Sequence, residues 1–295
     1  MHHRNGTVPY RHQMLGAALI HPDQRAVIPL MPEPIIKQDG TSKNDCERNA
    51  AKRLIVKLRQ DHPHLKVIVT EDSLSSNAPH INVLRDHNMH YILGVKEGDH
   101  AYLFAQVAEA EKAGRHTYYD RHDQETGLRH RFRFVRDVPL NESHADLRVH
   151  FLECWEWDRD NNVQHCSWVT DLCVTKGTVY RLMRGGRARW RIENETCNTL
   201  KNQGYHFEHN FGHGSQHLSV VFAMLMMLAF FVDQVQQLCC PLFQAVCSKL
   251  GSKRRRWERM RALFYDYALE SMRQLFEVLL YGLKKSAPVL ELDSS

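Results

Sequence analysis

Apolar and polar residues follow different rhythms along this chain, and each rhythm predicts a different kind of element. Asp45 to Asp61 (DCERNAAKRLIVKLRQD) places Ala51, Leu54, Ile55 and Leu58 on one side at spacings of three and four, which predicts an amphipathic helix with Asp45 as its N-cap. Leu65 to Thr70 (LKVIVT) is a short apolar run ending in Glu71-Asp72 and predicts a buried strand. Asn77 to Asn88 predicts a helix, and His90 to Lys96 a further strand. Upstream, Val8 to His21 and Arg25 to Ile36 are β-like runs around Pro22-Asp23, the signal of a hairpin. The texture changes from His116 to Asp171. TYYDRH, LRHRFRFVRDV, LRVHFLECWEW and VQHCSWVTDL alternate or are rich in aromatics, with turn residues (QETG, DRDNN) among them, so an antiparallel sheet of about four strands is expected.

Beyond this the period is helical again. Thr178 to Arg184 begins a helix that Gly185-Gly186 interrupts. Trp190, Cys197 and Leu200, with Ile192 and Thr196 nearby, form one stripe, while Arg189, Arg191, Glu193, Asn194 and Lys201 occupy the other faces. Leu218 to Leu238 is apolar on all sides and rich in methionine, predicting a core helix that covers the sheet, and Pro241 breaks it. Lys253 to Arg261 (KRRRWERMR) is a concentrated basic run leading into an amphipathic helix, Ala262 to Leu283. The tail SAPVLELDSS is expected to be disordered.

Composition narrows the class without naming a function. With 295 residues, 43% hydrophobic and 25% charged, the chain can bury a substantial core. Lys and Arg number 39 against 34 Asp and Glu, a formal +5, and twenty histidines can add charge near phosphates, a balance that permits nucleic acid as partner. Eight cysteines lie scattered with no CxxC pair, which argues for reduced thiols rather than a disulfide framework. The amino terminus shows no signal-peptide pattern. The longest uncharged apolar stretch, Leu218 to Val232, is fifteen residues, short of the roughly 20 a spanning helix needs.

Candidate chemistry concentrates in a few places. Open α/β sheets carry their chemistry at the carboxyl ends of strands, which is where Glu71 and Asp72 stand. Glu193 lies one helical turn from Arg189, a spacing equally that of a solvated salt bridge. Alternation puts Arg129, Arg131 and Arg133 on one face of a strand, either solvated or in contact with DNA. His206, His209, His213 and His217 suggest a metal site by spacing, but Gly204, Gly212 and Gly214 break the helix that would align them, and a loop approaching phosphates fits better.

The order Arg189-Trp190-Arg191-Ile192-Glu193, followed by Lys201, resembles the third catalytic segment of insertion-sequence transposases of the Asp-Asp-Glu type, in the group named for a Tyr-Arg-Glu-Lys signature. That signature spaces tyrosine, two residues, arginine, three residues, glutamate, six residues and lysine. Arg189 and Glu193 keep their spacing, Gly186 stands at the tyrosine position, and Lys201 lies one residue further along than the signature lysine. Glu195 is the alternative carboxylate, and Cys197 falls near a place where such sequences often carry an aromatic residue. TEDSLSSNAPHI resembles the segment holding the second catalytic aspartate, here Asp72, and NQGYHFEHNFGHG resembles the run after the glutamate.

The resemblance implies an α/β fold: an RNase H-like catalytic core whose first strand is missing, an inserted antiparallel β domain and a helical C-terminal region. The expected divisions are 1–114, 115–176, 177–238 and 239–295. It implies Asp72 and Glu193 as catalytic residues and ligands of Mg²⁺ (or Mn²⁺), acting by two-metal phosphodiester chemistry in DNA cleavage and strand transfer. Arg187, Arg189, Arg191, Lys201, Arg254 and Arg255 are the expected DNA contacts. The expected partner is double-stranded DNA, at transposon ends and target, with a homodimer compatible and no membrane, in a bacterial cytoplasm near the nucleoid. The family's first aspartate lies upstream of the segment that this chain begins with. The chain is therefore expected to be an amino-terminally truncated transposase, or alternatively a DNA-binding remnant without catalysis.

Overall fold

The computed structural model describes residues 13–35, 46–124, 126–209, 211–212 and 217–282. The chain divides into two compact units, one of Met1–Arg25 with Leu30–Glu193, the other of Ala26–Pro29 with Asn194–Ser295.

In the first unit, β1 (Gln13–Leu15) pairs antiparallel with β4 (Glu33–Ile35). Between them in sequence, β2 (Ala18–His21) and β3 (Gln24–Pro29), the latter shared between the units, form a two-stranded sheet across the expected Pro22-Asp23 turn. Helix α1 (Glu47–Asp61) buries Ala50, Ala51 and Ile55. Its N-cap position is Cys46, whose side chain makes no capping bond, and the expected cap Asp45 lies outside the described residues. Arg53 and Lys57 of α1 reach Glu33 of β4 at 2.6 and 2.5 Å, an anchor that holds the acid buried with both charges answered.

A mixed six-stranded sheet follows. Its order is β5 (Ile68–Glu71), β6 (His90–Gly94), β10 (Val163–Thr170), β9 (His144–Trp157), β8 (Arg129–Asn141) and β7 (Thr117–His122). β5 and β6 are parallel, joined through α2 (Ala78–Asp86), and every other pair is antiparallel. The four strands expected between His116 and Asp171 are β7 to β10, and β10 pairs with β6, so they extend the sheet that β5 begins. Leu65 to Thr70 was expected to be a buried strand. Among the described residues β5 is instead the edge of the sheet, paired only with β6, and its Ile68 is 52% exposed.

Two cores flank the sheet. On one face α1, α2 and α3 (Ala101–Lys112) bury Ile81, Leu84, Leu103 and Val107 with Tyr91, Leu93 and Phe151. Helix α3 had no counterpart among the sequence-based elements; its Leu103, Val107 and Ala110 nevertheless have the helical spacing. On the other face α4 (Val179–Ala188) buries Val179, Leu182 and Met183 with Ile92, Phe132, Leu152 and Trp168. Gly185 and Gly186 fall inside this helix rather than ending it, because they allow close approach. A Cβ on Gly186 would stand 2.5 Å from Trp168 Nε1, and one on Gly185 would be 3.0 Å from Ile92 Cδ1.

Apart from Ala26–Pro29 of β3, the regular elements of the second unit are helical among the described residues. After a π-helical stretch, Ile192–Cys197, come α5 (Asn198–Asn202), α6 (Leu218–Cys239), α7 (Pro241–Leu250), α8 (Lys253–Asp266) and α9 (Met272–Tyr281). One cluster packs Phe243, Val246, Met260, Leu275 and Phe276, and another packs Leu200, Tyr205, Met227 and Phe230. Helix α6 corrects the expectation of all-round burial: only Val220, Met227, Phe230 and Asp233 are buried, while Leu225 and Leu228 are more than half exposed. By length and composition α6 is apolar enough to cross a membrane. Its buried face is nevertheless that of a packed helix. Asp233, its only charge, accepts from Arg256 Nη2 of α8 at 2.8 Å and from the Tyr205 hydroxyl at 2.5 Å.

Candidate active site and nucleic-acid interface

Asp72 stands one residue beyond β5 and caps the short 3₁₀ turn Ser73–Ser75, its Oδ1 accepting from Leu74 N–H at 3.1 Å. It is exposed, and Oδ2 has no partner among the described residues. The turn behind it is tied down from several sides. Ser76 Oγ donates to Gly94 O (2.5 Å), His100 Nε2 meets Ser76 O (3.0 Å), and Ser73 Oγ donates to Asp99 Oδ2 (3.2 Å). Side-chain alternation separates the two acids of the Glu71-Asp72 pair. Glu71 turns toward α2, where His80 Nε2 lies 2.5 Å from its Oε2, whereas Thr70, two residues from Asp72, hydrogen-bonds to Gly186 O of α4 at 3.5 Å. Asn77 before Ala78-Pro79 signals the cap that starts α2, and its side chain accepts from His80 N–H, which brings His80 under the strand end.

Helix α4 runs in the same sense as β5 and β6. Its start follows the turn after Thr170, which is level with Ile92, and its end carries Arg187, which pairs with Glu156 (2.5 Å) and Gln164 (2.8 Å) beyond the Trp168–Gly94 level. Glu193 follows Gly186 by seven residues, across a turn at Arg189 that ends α4. Asp72 thus stands at the carboxyl end of β5, two residues after Thr70, which meets α4, and Glu193 follows the end of α4 that carries Arg187. Glu193 is held by Arg189 at 2.7 Å and is about half exposed, and the Arg189 guanidinium also lies 5.0 Å from the ring centre of Trp190, itself 56% exposed. Glu193 sits in the π-helical stretch, a deformation that recurs at functional sites.

The basic residues differ sharply in how far they are committed. Arg187 is tied to Glu156, which His130 Nε2 also contacts at 2.8 Å. Burial alone would raise the Glu156 carboxyl, but the bonds to Arg187 and His130 outweigh it and hold the group below the usual range. Arg191 donates to Pro22 O at 3.0 Å and to Gln24 O, which anchors the β2–β3 turn. In the second unit Lys201 pairs with Glu208 at 2.9 Å. In α8, Arg256 is buried against Asp233, while Arg254 is largely exposed beside Glu258 and Arg255 is exposed with no ion pair among the described residues. Lys253 is half-buried, and burial pushes its ammonium below the ordinary value against the attraction of Glu195; its Nζ donates to Thr199 Oγ1 at 3.4 Å. By sequence Lys253 to Arg256 form one basic run, and only packing separates its members.

His206 adopts a left-handed backbone conformation and contacts Arg261 through Nε2 at 3.0 Å; His209 packs on Phe211, and His213 lies outside the described residues. Among the described residues no group of three His, Cys, Asp or Glu side chains is arranged to hold a metal ion. Hard oxygen donors such as those of Asp72 and Glu193 are nonetheless the kind Mg²⁺ prefers, and that ion is commonly held by one or two carboxylates with waters completing its shell.

A mixed α/β sheet with acidic residues at the ends of its parallel strands defines a class of domain rather than an activity. The family model described as Transposase DDE domain matches residues 6–231, and the chain belongs to that family. No curated protein matches the chain.

Proposed function

We propose that this transposase domain acts on DNA at insertion-sequence ends through an RNase H-like core of the Tyr-Arg-Glu-Lys group, with Asp72 and Glu193 as its metal-holding carboxylates. What supports this reading is that Asp72 follows the carboxyl end of β5, while Glu193, 121 residues further on, follows α4, the helix whose Gly186 carbonyl accepts from Thr70 of β5. The Leu74 N–H orients Asp72 through Oδ1 and leaves Oδ2 open, while Arg189 holds Glu193 through Oε1 and leaves Oε2 open. Mg²⁺ or Mn²⁺ bound there would activate a water or hydroxyl toward phosphorus and relieve charge on the leaving oxygen. Arg189 and Trp190, beside Glu193, would orient the DNA strand, and Lys201, Arg254 and Arg255 would contact its phosphates. Arg187 and Arg191 would shape the site through Glu156 and the β2–β3 turn.

The family resemblance puts its first aspartate on a strand next to the one that delivers the second. The outer edge of β5 carries no strand among the described residues, and this is the edge such a strand would occupy. Two carboxylates without the third would bind one ion weakly. The 295-residue chain should therefore bind duplex DNA and, by itself, leave it uncut. The second reading is a DNA-binding chain without catalysis. The test is end cleavage with Mg²⁺ by this chain, and by a form carrying an added acidic strand. Cleavage by the extended form alone, lost in Asp72→Asn and Glu193→Gln, supports the catalytic reading. Failure of both forms despite duplex binding supports the second. Robust cleavage by the 295-residue form, abolished by Asp72→Ala, would overturn the claim that a ligand is lacking.

A further inference from the structure

Among the described residues of the first unit, the sheet face opposite α4 is covered only in part. Helix α3 packs on the portion around Val135 and Phe151, and beyond its end the same face opens as a cavity of about 540 Å³ lined by Tyr118, Asp120, Arg131, Trp155 and Trp157. The strand register sets this up. Asp120 stands opposite Arg131, Arg131 opposite Trp155, and Trp155 opposite His165; in the next row Arg129 stands opposite Trp157. Residues on one face of a strand recur every second position, so Trp155 and Trp157 project side by side. His165 stacks on Trp155 at 5.0 Å and 11°, which fixes the orientation of the indole. Tyr118 is 43% exposed, and the Arg131–Asp120 pair at the rim is more than half exposed at both ends.

We propose that this face binds an unpaired stretch of a DNA strand, with neighbouring bases stacked on Trp155 and Trp157. The inference rests on the DNA reading above and adds a subsite remote from Asp72 and Glu193. Three observations select this occupant. Positions two apart on a strand stand about 6.8 Å apart, twice the 3.4 Å rise of stacked bases, so a DNA strand whose neighbouring bases meet Trp155 and Trp157 is unstacked. The Arg131–Asp120 pair (2.8 and 3.2 Å) offers donors and acceptors together, as the edge of a base requires, and being exposed it can exchange partners. Arg133 is neutralised by Glu111 and Glu153, whereas Arg129, beside Trp157, bonds only to the Asn161 amide among the described residues and supplies an unanswered charge for a phosphate. Aromatic rings on an open sheet with basic residues between them suit single strands of any sequence.

The test uses the full chain, a labelled oligothymidylate and a labelled mixed-sequence duplex, with affinity read by fluorescence anisotropy. The double variant Trp155→Ala/Trp157→Ala should weaken oligothymidylate binding by between about fivefold and a hundredfold per ring. Duplex affinity should change by no more than about twofold, since phosphate contacts elsewhere carry it. Trp155→Phe/Trp157→Phe, which keeps stacking rings, should restore most of the loss. Arg129→Glu, an exposed change that does not threaten folding, should weaken oligothymidylate several-fold even if the alanine variant misfolds. Unchanged oligothymidylate affinity in Arg129→Glu and in a folded alanine variant, or an equal loss on duplex, overturns the inference. A wild-type chain that binds duplex but no oligothymidylate overturns it alone; one that binds neither overturns the DNA reading with it.

Discussion

Asp233 offers the sharpest test of how the helical unit is held together. It is the only charged residue among the twenty-two of α6, and both it and Arg256 are over 90% buried. Arg256 Nη2 and the Tyr205 hydroxyl both donate to the same Oδ2, and burial, with Asp233 beside it, pushes the Tyr205 hydroxyl far above its ordinary value. Asp233→Ala leaves a guanidinium buried without its anion, a loss that costs about 3–5 kcal/mol in comparable pairs, and strands the Tyr205 hydroxyl. Arg256 keeps its bond to Cys247 Sγ (3.0 Å) and its place over the Phe243 ring (4.8 Å), which favours the lower end, about 3 kcal/mol. With a urea dependence of about 2 kcal/mol per molar, the midpoint of unfolding followed by far-UV circular dichroism should fall by about 1.5 M. The triple change Asp233→Leu, Arg256→Met, Tyr205→Phe removes every polar partner together and should cost far less than the single change. A single variant within about 0.3 M of wild type, or a triple variant as damaged as the single, would refute the reasoning.

Three further outcomes are expected. Gly186→Ala gains about 1 kcal/mol of helix propensity but drives a methyl into Trp168, at an overpacking cost of about 1–3 kcal/mol, so thermal denaturation should show net loss rather than the usual gain. Reversing Arg254 and Arg255 to Glu should weaken binding to all duplex sequences alike and lower the slope of log affinity against log salt by about 0.9 for each phosphate no longer neutralised; an unchanged slope in a salt titration removes α8 from the interface. Glu33 is buried, which alone would raise its carboxyl, yet its bonds to Arg53 and Lys57 outweigh this and hold it below the ordinary value of about 4.3. Its stabilisation is thus complete above that value and is lost as the pH falls through the depressed folded one. Glu33→Gln should flatten the acid limb of a stability–pH curve, and an identical limb in wild type and variant would rule this out.

Much of the local structure was legible from residue spacing. The hairpin about Pro22-Asp23, α1, α2, β6 and the four strands β7 to β10 fall where apolar periodicity and turn residues put them, because these signals act over a few residues. Helix α3 went unread beside the stronger strand patterns on either side. Gly185-Gly186 was read as an interruption because glycine lowers helix propensity, whereas packing against Trp168 and Ile92 overrides that preference. Of the candidate site, the position of Asp72 after a strand and the Arg189–Glu193 spacing were visible; the Ser76, His80 and His100 bonds that steady the Asp72 turn were not, since their partners lie far along the chain.

The sequence by itself determined the family, whose model matches residues 6–231, and it determined most of the helical and extended stretches, though not α3. It could not decide which charges are free. Arg187 and Arg256 read like Arg254 and Arg255, yet the first two are consumed by Glu156 and Asp233 while the others face solvent. Nor could it decide that, among the described residues, β5 is the edge of its sheet and α6 buries only part of its apolar surface. Periodicity records the face a residue presents on its own element. Whether another element comes to meet that face depends on pairings between distant segments, and those exist only once the chain has folded.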